Sequence, residues 1–150
     1  MLVEYMSYDP FLRSSGAQSS GRFNTNQTGS TIPQGTPVKI TSSGLGLVDV
    51  SVEADIDAFA GILKSATTNL SNGNVITSGS IENFSTAFAV GSMVYISKIG
   101  TLTNVKPSSG VNGFAEGDFV IKIGMIAKNN DNPLKQRLIS RHSSNGSTLT

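Results

Sequence analysis

Residues 35–44 read GTPVKITSSG, and residues 91–100 read GSMVYISKIG. Gly35, Val38, Ile40, Thr41 and Gly44 meet Gly91, Val94, Ile96, Ser97 and Gly100 at a constant offset of 56. The likeness continues beyond these ten residues. FAGILK surrounds Gly61, 26 residues after Gly35, and KIGMIAK surrounds Gly124, 33 residues after Gly91. Each half therefore runs glycine, strand, turn, variable segment, then a strand with a central glycine. The seven-residue difference fits an insertion at VKPSSGVNGFAEG (105–117). A unit this small cannot bury its apolar face alone, so the two halves must share a core. The repeat thus predicts one all-β domain over residues 33–140, a small pseudo-symmetric barrel or sandwich. Gly61 and Gly124, inside strand patterns, mark bends or close backbone approaches, while Gly35, Gly91 and Gly100 mark turns.

PVKIT (37–41) and MVYIS (93–97) alternate across two faces, as half-buried strands do. GDFVIKIGMIAK (117–128) is the strongest strand signal. It sets Phe119, Ile121, Ile123 and Met125 on one face and Val120, Lys122, Gly124 and Ile126 on the other. Asn72–Gly73 and Asn112–Gly113 are the strongest tight-turn signals. VEADIDAFAGILK (52–64) has apolar residues at helical spacing, but the repeat favours extended structure after Ala58. ENFSTAFAVGS (82–92) allows a short helical turn.

The ends read differently. Residues 14–31, SSGAQSSGRFNTNQTGST, hold only Ala17 and Phe23 as hydrophobic residues, too little apolar surface to offset the entropy of ordering. They follow an apolar, aromatic start with Leu2, Val3, Tyr5, Met6, Tyr8, Phe11 and Leu12. We expect residues 1–32 to form an extended arm whose apolar end is a protein interface. The competing reading is a start folded back on its own core. Residues 141–150, RHSSNGSTLT, have no periodicity and read as a flexible tail. Glu4 and Asp9 interrupt the apolar start and no basic leader precedes it, so no signal peptide is expected.

Only 14% of the residues are charged, well under the roughly 25% usual in soluble domains. Ser, Thr, Asn and Gly carry the polarity instead, which suits surfaces that pack against neighbours, because hydroxyls and amides are cheaper to desolvate than charges. With a net charge of +1 and scattered Lys and Arg, nothing favours nucleic acid. No apolar run reaches membrane-spanning length. There is no Cys and a single His, His142, which sits in the expected tail, far from the rigid setting a hydrolytic base needs. Glu53, Asp55 and Asp57, with Asp49 nearby, would share a strand face and could clasp calcium, but they lack the spacing of a calcium loop and read as a solvated acidic face. SSGLG and SNGNVITSGS carry no phosphate-binding lysine and read as turns. The aromatic residues are too dispersed for a stacking platform. No catalytic, cofactor-binding or metal site is expected, and no enzyme.

A glycine followed by PVxI, then FAGIL, then VGSMVYI with GTLT, then KIGMI resembles the small duplicated β-barrel proteins of tailed bacteriophages that decorate and cement the capsid. The resemblance covers residues 33–128. It implies a structural virion protein on the capsid surface, made in the host cytoplasm, that bridges neighbouring capsid subunits. Its implied partners are the major capsid protein and further copies of itself, as a dimer or trimer. Similar units occur in fibres and baseplates, so a tail attachment module is the alternative.

Overall fold

The computed structural model describes residues 18–19, 24–129, 136–143 and 147–150, with 18–19 and 141–143 described by backbone alone. Among the described residues the order is β1 (Gln18–Ser19), β2 (Pro37–Thr41), β3 (Gly44–Leu47), α1 (Glu53–Asp57), β4 (Phe59–Leu63), β5 (Val75–Ile76), β6 (Ser78–Phe84), β7 (Met93–Ile96), β8 (Leu102–Thr103), β9 (Lys122–Lys128) and β10 (Gln136–Ser143). They form two five-stranded sheets, ordered β1-β5-β4-β2-β3 and β6-β10-β9-β7-β8. Every pairing is antiparallel. Raising each strand number of the first sheet by five gives the second. The repeat in sequence is a repeat of topology.

The correspondence reaches single hydrogen bonds. Gly35 N–H donates to the Leu63 carbonyl and Gly91 N–H to that of Ile126, both at 2.8 Å. Leu63 N–H returns to Thr36 (3.1 Å) and Ile126 N–H to Ser92 (2.9 Å). Val38 stands opposite Gly61 and Val94 opposite Gly124, and in both sheets the register shifts at the next residue. A side chain at Gly61 would run into the carbonyl oxygen of Ile76 on β5, and one at Gly124 into that of Ile139 on β10. The bare glycine lets the neighbouring strand approach at each bend. Gly35, Gly91 and Gly100 adopt φ of +82°, +93° and +84° in their turns, a region costly for residues with a Cβ. One pairing exists in sequence only. Ile40 faces Leu45 but Ile96 faces Leu102, so the second hairpin is one residue longer. Gly44 therefore opens a strand while Gly100 lies in a turn.

The sheets form a small sandwich and do not close into a barrel. Its main core joins Val48, Val50, Ile62 and Ile76 of the first unit to Ile81, Phe84, Val94, Ile96, Phe114, Ile121, Ile123, Ile126 and Leu138 of the second. A smaller cluster of Ile32, Val38, Leu45, Leu63 and Val75 lies within the first unit. Val38, Leu63 and Val75 correspond to Val94, Ile126 and Leu138, so equivalent faces of the two sheets belong to different clusters. The units meet through non-equivalent faces.

Several expectations are corrected. Regular strand begins at Lys122, and the predicted face breaks: Ile121, Ile123 and Ile126 are buried, while Met125 is exposed. Val94 pairs with Gly124 and Tyr95 with Lys122, so Ile123 is the extra residue of a bulge, which exchanges the faces beyond it. Residues 53–57 form the short helix α1, so Glu53, Asp55 and Asp57 do not share a strand face; extended structure starts at Phe59, after Ala58 as the repeat predicts. No helical turn occurs over 82–92. Asn112–Gly113 makes a turn with both φ positive, whereas Asn72 bridges to Thr25 and Gly73 N–H donates to the Asn24 carbonyl.

The ends differ most. Residues 24–32, expected in the arm, belong to the folded body. The reason is Asn26, which is fully buried. Its amide donates to the carbonyls of Ser30 and Thr67, and its oxygen accepts from Thr28 N–H and Oγ1. Side-chain bonds thereby order a stretch poor in hydrophobic residues. Residues 141–143 continue β10, and Ser147–Thr150 binds the second unit: Leu149 N–H donates to Asp118 and its carbonyl accepts from Gly117 N–H, each at 2.8 Å. Leu149 packs on the main core.

Candidate interaction surfaces

The predicted arm interface, Leu2, Val3, Tyr5, Met6, Tyr8, Phe11 and Leu12, lies outside the described residues. Its point of entry is described: β1 pairs antiparallel with β5, Gln18 opposite Ile76. His142 falls in β10 rather than in a tail.

Of the predicted acidic cluster, Glu53 and Asp57 are exposed, while Asp55 and Asp49 fasten loops. Asp55 accepts from the Lys39 ammonium at 2.6 Å and from Asp49 N–H at 3.0 Å. Its counterpart in the second unit is Asp118, which accepts from Lys98 at 2.7 Å and from Ala115 N–H at 2.9 Å. The two acids do the same work, but the lysine comes from β2 in one unit and from the β7–β8 turn in the other. Burial pushes the Asp118 carboxyl up, but the bonds from Lys98 and Ala115 outweigh it and hold the group below its ordinary value. Asp49 is held low by bonds from the hydroxyl and N–H of Ser51. No group of three or more His, Cys, Asp or Glu able to hold a metal occurs among the described residues.

An open cleft runs where the two units meet, in stretches of about 300 and 200 Å³. Pro33, Thr36 and Thr101 are common to both. Thr28, Ser30, Thr31, Ile32 and Leu47 complete the first; Gln34, Gly35, Phe84, Thr86, Phe88 and Leu102 complete the second. The lining offers hydroxyls, an amide and two aromatic rings, and carries no charge. Sequence reasoning missed it, because its walls come from segments separated by the whole first unit.

A second surface is the open face of the second sheet. Met93 pairs with Met125, Met125 with Ile139, and Ile139 with Ser80, so a row crosses four strands. Met93 and Met125 are each 37% exposed. The row's counterpart in the first sheet, Pro37–Ile62–Ile76–Gln18, has Pro37, Ile62 and Ile76 buried. Alternation placed Met125 on one face with Ile123, and the bulge separates them, Ile123 buried and Met125 exposed. Among the described residues no helix is long and apolar enough to cross a membrane.

No family model matches the chain, and neither the curated proteins nor the solved structures contain a match.

Proposed function

We propose that this chain is a structural virion protein that decorates a phage capsid and stabilises it by bridging neighbouring capsid subunits. The observation that carries the reading is the duplicated unit. The residues in which the sequence resembles capsid decoration proteins, around Gly35, Gly61, Gly91 and Gly124, are the ones that form equivalent corners of the two sheets. A charge-poor surface and an apolar N-terminal segment support a role in packing against other proteins. The partners are the major capsid protein and other copies of this chain, as a dimer or trimer on the virion surface. The part played is mechanical, with no turnover, cofactor, nucleic acid or membrane involved.

The uncharged cleft of hydroxyls and rings favours a second reading, an attachment module of a tail fibre or baseplate that contacts a neutral glycan. Stoichiometry in purified particles separates the two. Quantitative mass spectrometry should find hundreds of copies per particle for decoration. A dozen or fewer would refute decoration and support the tail module.

A further inference from the structure

We infer that the open row Met93–Met125–Ile139 is the docking surface for the apolar N-terminal segment, residues 1–12, of a second copy of this chain. The inference rests on the bridging function proposed above and deepens it by naming the contact between copies.

The duplication supplies the argument. In the first sheet the row Pro37–Ile62–Ile76 is buried, and Ile62 and Ile76 share a core with the second sheet. The same topological row of the second sheet has no third unit upon it. Its side chains are apolar, and Tyr95, half-buried, stands two residues along β7 from Met93. A third unit cannot come from stacking another copy in the same sense. The face it would have to offer, that of Val38, Leu63 and Val75, is already covered by Ile32 and Leu45, with residues 24–32 bonded across it to Leu45 and Thr67. What fits the open row must therefore be thinner than a sheet. An extended segment is.

A candidate by sequence lies outside the described residues. Residues 1–12 carry Met1, Leu2, Val3, Tyr5, Met6, Tyr8, Phe11 and Leu12. Seventeen residues precede Gln18, and fully extended they reach about 56 Å at about 3.3 Å per residue. That exceeds the breadth of a five-stranded sheet, about 24 Å at about 4.8 Å per strand. Charge agrees as well. The segment holds two acids, Glu4 and Asp9, and the row is bordered by exposed Lys122, opposite Tyr95; Arg137, two residues from Ile139 on the same strand, is already paired with Glu82 at 3.7 Å. Lys122 makes no ion pair among the described residues.

The absence of native cysteine makes the test direct. Full-length Met6→Cys and Met125→Cys variants are purified separately, mixed in equal amounts and oxidised gently. A disulfide-linked heterodimer should form at least tenfold faster than with Leu70→Cys, an exposed position on the first unit (73% exposed), in place of Met125→Cys. In the unmodified background, Met125→Glu should weaken self-association at least tenfold by sedimentation while circular dichroism and the melting temperature stay unchanged. Equal rates at positions 70 and 125 would overturn the inference. So would a double variant that closes only within one chain, or a Met125→Cys protein that links only to itself. The assay uses purified chain without particles, so its failure leaves the capsid reading to be decided by stoichiometry, and the failure of that reading leaves this contact measurable.

Discussion

Replacing Gly124 with alanine should be among the most damaging single-methyl changes in this protein. The added Cβ would collide with the carbonyl oxygen of Ile139 and lie 2.9 Å from its carbonyl carbon and 3.2 Å from the Ser140 Cα. All three are backbone atoms, so no side chain can rotate away. Relief requires β9 and β10 to part where Met125–Ile139 and Gly124–Ser140 are paired. Overpacking of this kind costs about 1–3 kcal/mol, and losing one or two ladder hydrogen bonds adds about 0.5–1.5 kcal/mol each. The sum is about 3 kcal/mol, a large share of the roughly 5–15 kcal/mol by which domains are stable. The control is Gly46→Ala in β3, where the nearest atom is Lys39 Cε at 3.2 Å, a side-chain atom rather than backbone. That change should cost less than about 0.5 kcal/mol, the usual scale for surface substitutions. Chemical denaturation of both variants reads the difference. If Gly124→Ala and Gly46→Ala unfold within about 0.5 kcal/mol of each other, a difference no larger than ordinary surface effects, the close approach of β10 is not what fixes glycine at this bend.

Gly61→Ala should repeat the loss, since its Cβ meets the Ile76 carbonyl and its φ is +148°; a neutral result would break the equivalence of the two corners. Asn26→Ala leaves the bonds to Ser30, Thr67 and Thr28 unmade, and denaturation should register a loss of about 2–3 kcal/mol, as for other buried polar groups left unpaired. Asp118 titrates lower folded than unfolded, so its contribution is whole above about pH 5 and is withdrawn as the pH falls through the ordinary carboxylate value and below. Stability measured from pH 7 to pH 2 should therefore fall less steeply in acid for Asp118→Asn than for the parent chain, and parallel curves would contradict the assigned bond from Lys98. Deleting residues 1–17 should leave the melting temperature within about 2 °C, a shift worth under about 1 kcal/mol, yet abolish attachment to particles; unfolding of the truncated chain would place the segment in its own core.

The sequence alone determined the β class, the duplication and four of the five glycine corners at their equivalent places, because backbone conformation and close approach leave few substitutes for glycine. It also located the extended structure after Ala58, since the repeat outweighed a helical spacing that proved to extend only to Asp57. Tertiary structure decided the rest. Ile123 and Met125 look alike to any period-two reading, and only the bulge opposite Val94 and Tyr95 sends one into the core and the other to the surface. Residues 24–32 look like linker because their order comes from Asn26 bonding to Thr67, a partner 41 residues away. Ser147–Thr150 has Leu149 as its one apolar side chain, and it is ordered by backbone bonds to Gly117, Asp118 and Val120. Local pattern records what a residue prefers, whereas hydrogen bonds between distant segments and the choice of which sheet face meets the other unit depend on where the whole chain has gone.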